Sequence, residues 1–154
     1  MREGEAWKLI LEEAVNRHCE LIVVGPSSDG ADLEEALFGQ TAERLAHRAS
    51  QPILIARRPG ERPYEHLVAA TDFSDGSRHA LLTAAALLPE ARLTPMLVFG
   101  DPHEAIVKRD SEDRIDVVVL GVHGHTGPLE KVLGGPAEML LKTLPMDVML
   151  VREA

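Results

Sequence analysis

The chain has 154 residues, of which 45% are hydrophobic and 3% aromatic, and carries a formal net charge of −9. That is enough apolar material for an aliphatic core, and the acidic balance excludes non-specific nucleic-acid binding, which needs clustered Lys and Arg. A single cysteine excludes an intrachain disulfide, no apolar run reaches membrane-spanning length, and the start does not read as a signal peptide, so a cytoplasmic protein is expected.

A first helix is predicted to open near Ala6, with Leu9, Ile10 and Ala14 at helical spacing. Trp7 reads as a packing residue. Cys19, between this helix and the next strand, reads as a buried small hydrophobe. Leu21–Val24 is wholly apolar, as suits a parallel strand covered on both faces. A loop then leads into a helix over about Thr41–Ala49 and a strand over Ile53–Ala56. The segment "RRPGERPYEH", residues 57–66, has the prolines, glycine and charges of a linker. Leu67–Ala70 is the next strand, with Asp72 and Ser74 in the turn after it. Ser74 or Ser77 caps an alanine- and leucine-rich helix running to about Leu88. "RLTPMLVFG" is a further strand, and Pro95 inside it marks an edge or a bulge. A helix near His103, a strand over Val117–Leu120, a helix over about Pro136–Leu144 and a strand over Val148–Val151 complete the order.

The chain repeats itself. Residues 4–57 align with residues 100–152: Gly25 faces Gly121, Gly39 faces Gly134, Ala42 and Glu43 face Ala137 and Glu138, and Arg57 faces Arg152. Each copy reads helix, strand, loop, helix, strand. Such alternation with short loops predicts an α/β fold: an open, mostly parallel, Rossmann-like sheet with helices on both faces.

The stretch "GVHGHTGPLEKVLGGPAE", residues 121–138, joins a buried strand to a helix. In open parallel sheets ligands sit beyond the carboxyl ends of the strands, and a helix N-terminus offers free N–H groups to an anion. Its glycines either let a phosphate approach the backbone or only shape a turn and a cap; both readings stand. His123 and His125 have no evident third metal ligand, so no protein-held metal is expected. In the first copy, Asp29, Asp32, Glu34 and Glu35 crowd the corresponding loop and would repel phosphate, so that loop reads as structural.

"LVAATDFSDGSRHAL", "GDPHEAIV" and "VVVLGVHGHTGPLEKVLGGPAEMLL…DVMLVR" resemble, in that order, the first strand and turn, the third helix, and the fourth strand to fifth strand of the universal stress protein family. Residues 66–154 resemble one family unit with a shortened middle. Residues 1–58 resemble the back half of another, with 59–65 as linker. The whole resembles a tandem member without its front half. The resemblance implies an adenine nucleotide alpha hydrolase-like fold, a role in stress response, and binding of ATP or a related adenine nucleotide with Mg²⁺ carried on its phosphates. It also implies a homodimer joined by fifth-strand edges, with no nucleic acid or membrane as partner. Six strands are expected, in one sheet shared by both pieces or in a sheet completed by another chain.

Nucleotide-binding members carry Gly, two residues, Gly, nine residues, Gly, then Ser or Thr. Here Gly121, Gly124 and Gly134 match, but Gly135 stands at the hydroxyl position and Pro136 follows it. A charge-assisted bond from that hydroxyl would contribute roughly 1.5–3 kcal/mol, so its absence costs about ten- to a hundredfold in affinity. The residues expected at the site are Asp72, Ser74, Gly121, Gly124, His125, Gly134 and Gly135, with Met96, Leu97 and Val98 at the adenine. Asp72 would accept from ribose hydroxyls or help hold Mg²⁺; alternatively Asp72 and Ser74 only cap the helix. Two other readings remain: a ligand-free dimeric interaction scaffold, and a nucleotide-dependent transferase or hydrolase. No nucleophile or general base can be named for the latter, so at most slow ATP hydrolysis is expected.

Overall fold

The apolar runs read from the sequence become the strands of one six-stranded sheet. A computed structural model of the chain describes residues 6–25, 39–58, 60, 62–122 and 135–153. The elements follow as α1 (Ala6–Asn16), β1 (Ile22–Val24), α2 (Gln40–Arg48), β2 (Ile53–Ile55), β3 (His66–Thr71), α3 (Asp75–Leu87), β4 (Arg92–Leu97), α4 (Pro102–Glu112), β5 (Val117–Val122), α5 (Gly135–Thr143) and β6 (Asp147–Arg152). The strand order is β1-β2-β6-β5-β3-β4. Every neighbouring pair is parallel except β2 with β6. Both copies therefore share a continuous sheet.

The antiparallel junction is where the copies meet. Leu54 pairs with Met149, flanked by Ile53 with Leu150 and Ile55 with Val148. Leu54 and Met149 are the residues that the repeat alignment superposes, so a pseudo-two-fold axis passes between them. Such a self-complementary contact is the kind two identical subunits make. Here it forms within one chain. The fifth strands expected to join two protomers are β2 and β6, and each already pairs with the other; among the described residues the outermost strands are β1 and β4. Pro95 lies on edge strand β4, opposite Ala69, where a missing N–H is tolerated.

Buried strands alternate cleanly between two cores. Val68, Val118, Leu120, Val148 and Leu150 face a core covered by α1, α2, α4 and α5, through Ala14, Leu45, Ile106 and Leu141. Leu67, Ala69, Val117, Val119 and Met149 face the other side, where Ala80 and Ala84 of α3 pack closely because they are small. Trp7 packs against the first core, and the Arg48 guanidinium lies 4.9 Å from its ring centroid.

The helical spacing in α1 does not fix its core-facing side, and one local expectation, for Cys19, is corrected. Leu9 and Ile10 are exposed, and only Ala14 of α1 is buried. The helix turns Trp7 and Leu11 to the core instead, leaving Leu9 and Ile10 to line an open groove with Leu21 and Ile22. Cys19 is exposed as well. The chain leaves α1 through His18 in the left-handed conformation (φ 52°), and this turn carries Cys19 outward although its N–H still donates to the Ala14 carbonyl at 2.9 Å.

The linker is tied down by two buried carboxylates at the end of the sheet opposite the carboxyl ends of β3 and β5. Asp147 accepts from the Arg57 and Arg58 N–H groups at 2.7 and 3.0 Å and from the Tyr64 hydroxyl at 2.6 Å. Asp116 accepts from the N–H groups of Glu65 and His66 at 2.8 and 2.9 Å and from Arg62 at 3.0 Å. Burial, then the bond to Asp147, pushes the Tyr64 phenol above its ordinary range.

Candidate functional site

The carboxyl ends of β3, β4 and β5 open onto a cavity of about 580 Å³. Its position follows from the crossovers: parallel strands deliver their following loops to one end of the sheet. Leu120 and Val122 of β5, at alternate positions, form its floor with Leu140 of α5. Thr71, Asp72, Ser74 and Ser77 supply the polar wall. Val98 and Gly100 bound it after β4, and Pro136 and Ala137 bring in the first turn of α5. The floor is apolar and the rim polar, the usual make-up of a small-molecule site.

The turn after β3 is built by short-range hydrogen bonds. Ser74 caps α3, its hydroxyl accepting from the Ser77 N–H at 3.2 Å. The Ser77 hydroxyl donates to the Ser74 carbonyl at 3.0 Å and lies 3.0 Å from the Thr71 hydroxyl. Asp72 does not cap the helix itself. Its carboxylate accepts from the Ser74 N–H at 2.9 Å, two residues before the cap. Phe73 is forced into the left-handed region (φ 64°), with its N–H donating to the Thr71 hydroxyl at 3.1 Å, and its ring is 80% exposed. Backbone strain of this kind concentrates at functional turns. Hydrogen bonds from Ser74, side chain first and then backbone, lower the Asp72 pKa from 3.8 to about 2. Asp72 therefore presents a fixed negative charge to the cavity, suited to accepting from hydroxyls and unsuited to direct contact with phosphate.

Gly121 has a packing role as well as a place in the cavity wall. A Cβ there would stand 2.8 Å from the Gly76 carbonyl oxygen and 3.1 Å from the Ser77 nitrogen. Only glycine lets the first turn of α3 lie so close to β5. Gly135, by contrast, has no atom of the described residues within 4 Å of its would-be Cβ, so a serine fits among them at that position.

Of the residues expected from sequence, the structure gathers Asp72, Ser74, Gly121 and Val98 around one cavity, with Gly135 adjoining Pro136 at its edge. Gly124, His125 and Gly134, like His123, lie outside the described residues. Met96 and Leu97 are not among the lining residues. Met96 packs under the cavity against the core, and Leu97 alternates to the other face. Thr71, Ser77, Leu120, Val122 and Leu140 were missed from sequence. The alternation of β5 carried the signal for Leu120 and Val122; nothing local marked Leu140.

A second constellation lies at the seam between the copies. Arg152 reaches from β6 to the C-terminal end of α2, donating to the carbonyls of Ala46, His47 and Ala49 at 2.7, 3.1 and 3.1 Å. Arg57, its equivalent, reaches from β2 to the Leu144 carbonyl just beyond α5. Each copy thus caps the other's helix with a buried cation, where the helix dipole favours positive charge.

The family model described as the universal stress protein family matches residues 1–57 and 88–152. This sheet, with its crossovers and its cavity at the strand ends, is an α/β fold of that class, and the chain belongs to the universal stress protein family. A universal stress protein of Methanocaldococcus jannaschii is 33% identical over 61 residues, covering 40% of this chain and 38% of that protein. The match therefore spans well under half of that relative. The crystal structure of a universal stress protein from Archaeoglobus fulgidus superposes with a TM-score of 0.75 at 18% identity, over 96% of this chain and 67% of the other. A functionally unknown protein from Pseudomonas aeruginosa PAO1 superposes at 0.69 and 19% identity, over 95% of this chain and 67% of that one. At such identities the superpositions speak for the fold. No helix among the described residues is long and apolar enough to cross a membrane.

Proposed function

We propose that the chain is a nucleotide-binding module that takes ATP or a related adenine nucleotide at the cavity beyond β3, β4 and β5, in the setting of a stress response. The observation that carries this reading is the convergence, on one cavity of about 580 Å³, of an ionised Asp72, the first turn of α5 and an apolar floor beside Val98. The volume suits a nucleoside with its phosphates. Asp72 would accept from the ribose hydroxyls, Val98 and Leu120 would meet the base, and the start of α5 would face the phosphates, with Mg²⁺ carried on them. The described residues offer binding groups and, among them, no identifiable nucleophile or general base, so the module signals by a change of shape or association and turns ATP over slowly at most. A homodimer would use the outer edges, β1 or β4, because β2 and β6 are paired with each other.

Calorimetric titration with ATP and Mg²⁺ tests the reading. Heat is expected with the native chain and is lost in Val98→Trp, which fills the cavity. No heat at millimolar nucleotide overturns it.

A second reading, a scaffold without a ligand, is favoured by one observation. The contact of Gly121 with Gly76 accounts for that glycine by packing alone. The same titration decides between the two.

A further inference from the structure

Helices α2 and α5 are equivalent elements of the two copies, and Glu43 and Glu138 are equivalent residues on them. The antiparallel seam brings these two carboxylates together. Glu43, His47 and Glu138 each offer one ligand atom, and the three atoms lie within 4.8 Å of one another. All three side chains are half-buried.

The spacing is chemically specific. Glu43 and His47 are four residues apart on α2, so they project from one helix face as a chelating pair. Glu138 closes the set from the opposite copy. Two like charges held this close repel unless a cation lies between them. Lys142 partly meets that need, its ammonium 2.8 Å from the Glu138 carboxylate. It is a monovalent partner on a side chain that is 48% exposed, free to swing into water. A divalent ion would bind both carboxylates and the imidazole at once. Around such an ion, ligand atoms about 2.0–2.1 Å from the metal stand roughly 3.4 Å apart, so a small rotamer adjustment closes the set. The frame behind it is firm, since Arg152 holds the His47 carbonyl and two others in the last turn of α2.

We propose that Glu43, His47 and Glu138 form a binding site for a divalent first-row transition ion, zinc foremost, bridging the two copies across their seam. One nitrogen and two oxygens are a borderline donor set, for which the Irving–Williams order places zinc above manganese and iron(II). Three protein ligands leave a fourth position to water. The ion would pin α2 to α5, complementing the arginines that cap the same two helices. The site is separate from the cavity and does not depend on nucleotide binding.

Cobalt(II) tests the assignment, since its visible bands report coordination directly. The chelator-treated native chain should take up one Co²⁺ per molecule with new visible absorption, and added Zn²⁺ should displace it and raise the melting temperature. His47→Gln and Glu43→Gln should each weaken binding by at least the roughly 10–100-fold that follows loss of a ligand's outer partners. Lys142→Ala removes the competing ammonium and should bind Co²⁺ more tightly than the native chain. Far-UV circular dichroism of the metal-free variants should match the native chain; if one variant misfolds, the other carries the test. Co²⁺ binding equal in native, His47→Gln and Glu43→Gln proteins, or no uptake at millimolar Co²⁺, overturns the proposal.

Discussion

Gly121 lies on β5 and Gly135 opens α5, and their surroundings make opposite demands. A methyl group at Gly121 would press on the backbone of α3. Gly121→Ala is therefore expected to destabilise the fold by about 1–3 kcal/mol, read as a lower denaturant midpoint, through forced displacement of a packed helix. No described residue crowds Gly135, so Gly135→Ser places the family's hydroxyl there without a clash among the described residues. If the cavity holds phosphate, that substitution should tighten ATP by about tenfold or more in calorimetry. If affinity does not change, the phosphates do not lie there. Asp72 gives a pH signature. Its folded-state pKa is depressed from 3.8 to about 2, so its contribution to stability is full above the higher value and lost as pH falls through the lower one. Between about pH 4 and pH 2 the native chain should lose a small increment that Asp72→Asn does not, measured by melting temperature against pH. The increment is small because Asp72 is exposed and solvent screens it.

Elements were more legible than their neighbours. Unalternating apolar runs such as Val117–Leu120 announced strands covered on both sides, and the observed strands start within a residue or two of their expected positions. Edge placement was legible too, because Pro95 cannot donate to a second ladder. What escaped was whatever depends on the partner surface. Leu9 and Ile10 have helical spacing, but which face of α1 meets the core is set by the position of β1, and that cannot be read from the helix. The Asp72 turn was visible as a cluster of small polar residues, yet their division of labour, with Ser74 capping and Asp72 two residues back, rests on distances. The arginine exchange left a trace in the repeat alignment, where Arg57 faces Arg152, without showing what either one touches. Arg152→Met removes charged donors to three carbonyls at the end of α2 and should cost about 2–4 kcal/mol in chemical unfolding. Arg152→Lys should rescue little, because an ammonium cannot span the same three carbonyls.

At the scale of the molecule, the junction between β2 and β6 makes one chain perform a self-complementary contact of the kind two identical subunits make. Opening it should then be a unimolecular event. Leu54→Glu places a charge at the centre of the seam. Its loss of melting temperature should be the same in dilute and concentrated solution, whereas an interface between protomers would make the loss concentration-dependent. The same junction also orders the events of folding. β6 lies between β2 and β5, and its partner Ile53 pairs with Leu150 from the far end of the chain. Before β6 docks, β2 lacks its partner on that side and offers a bare apolar edge of Ile53, Leu54 and Ile55. An undocked β6 thus leaves that edge open to aggregation, and its docking is what closes it.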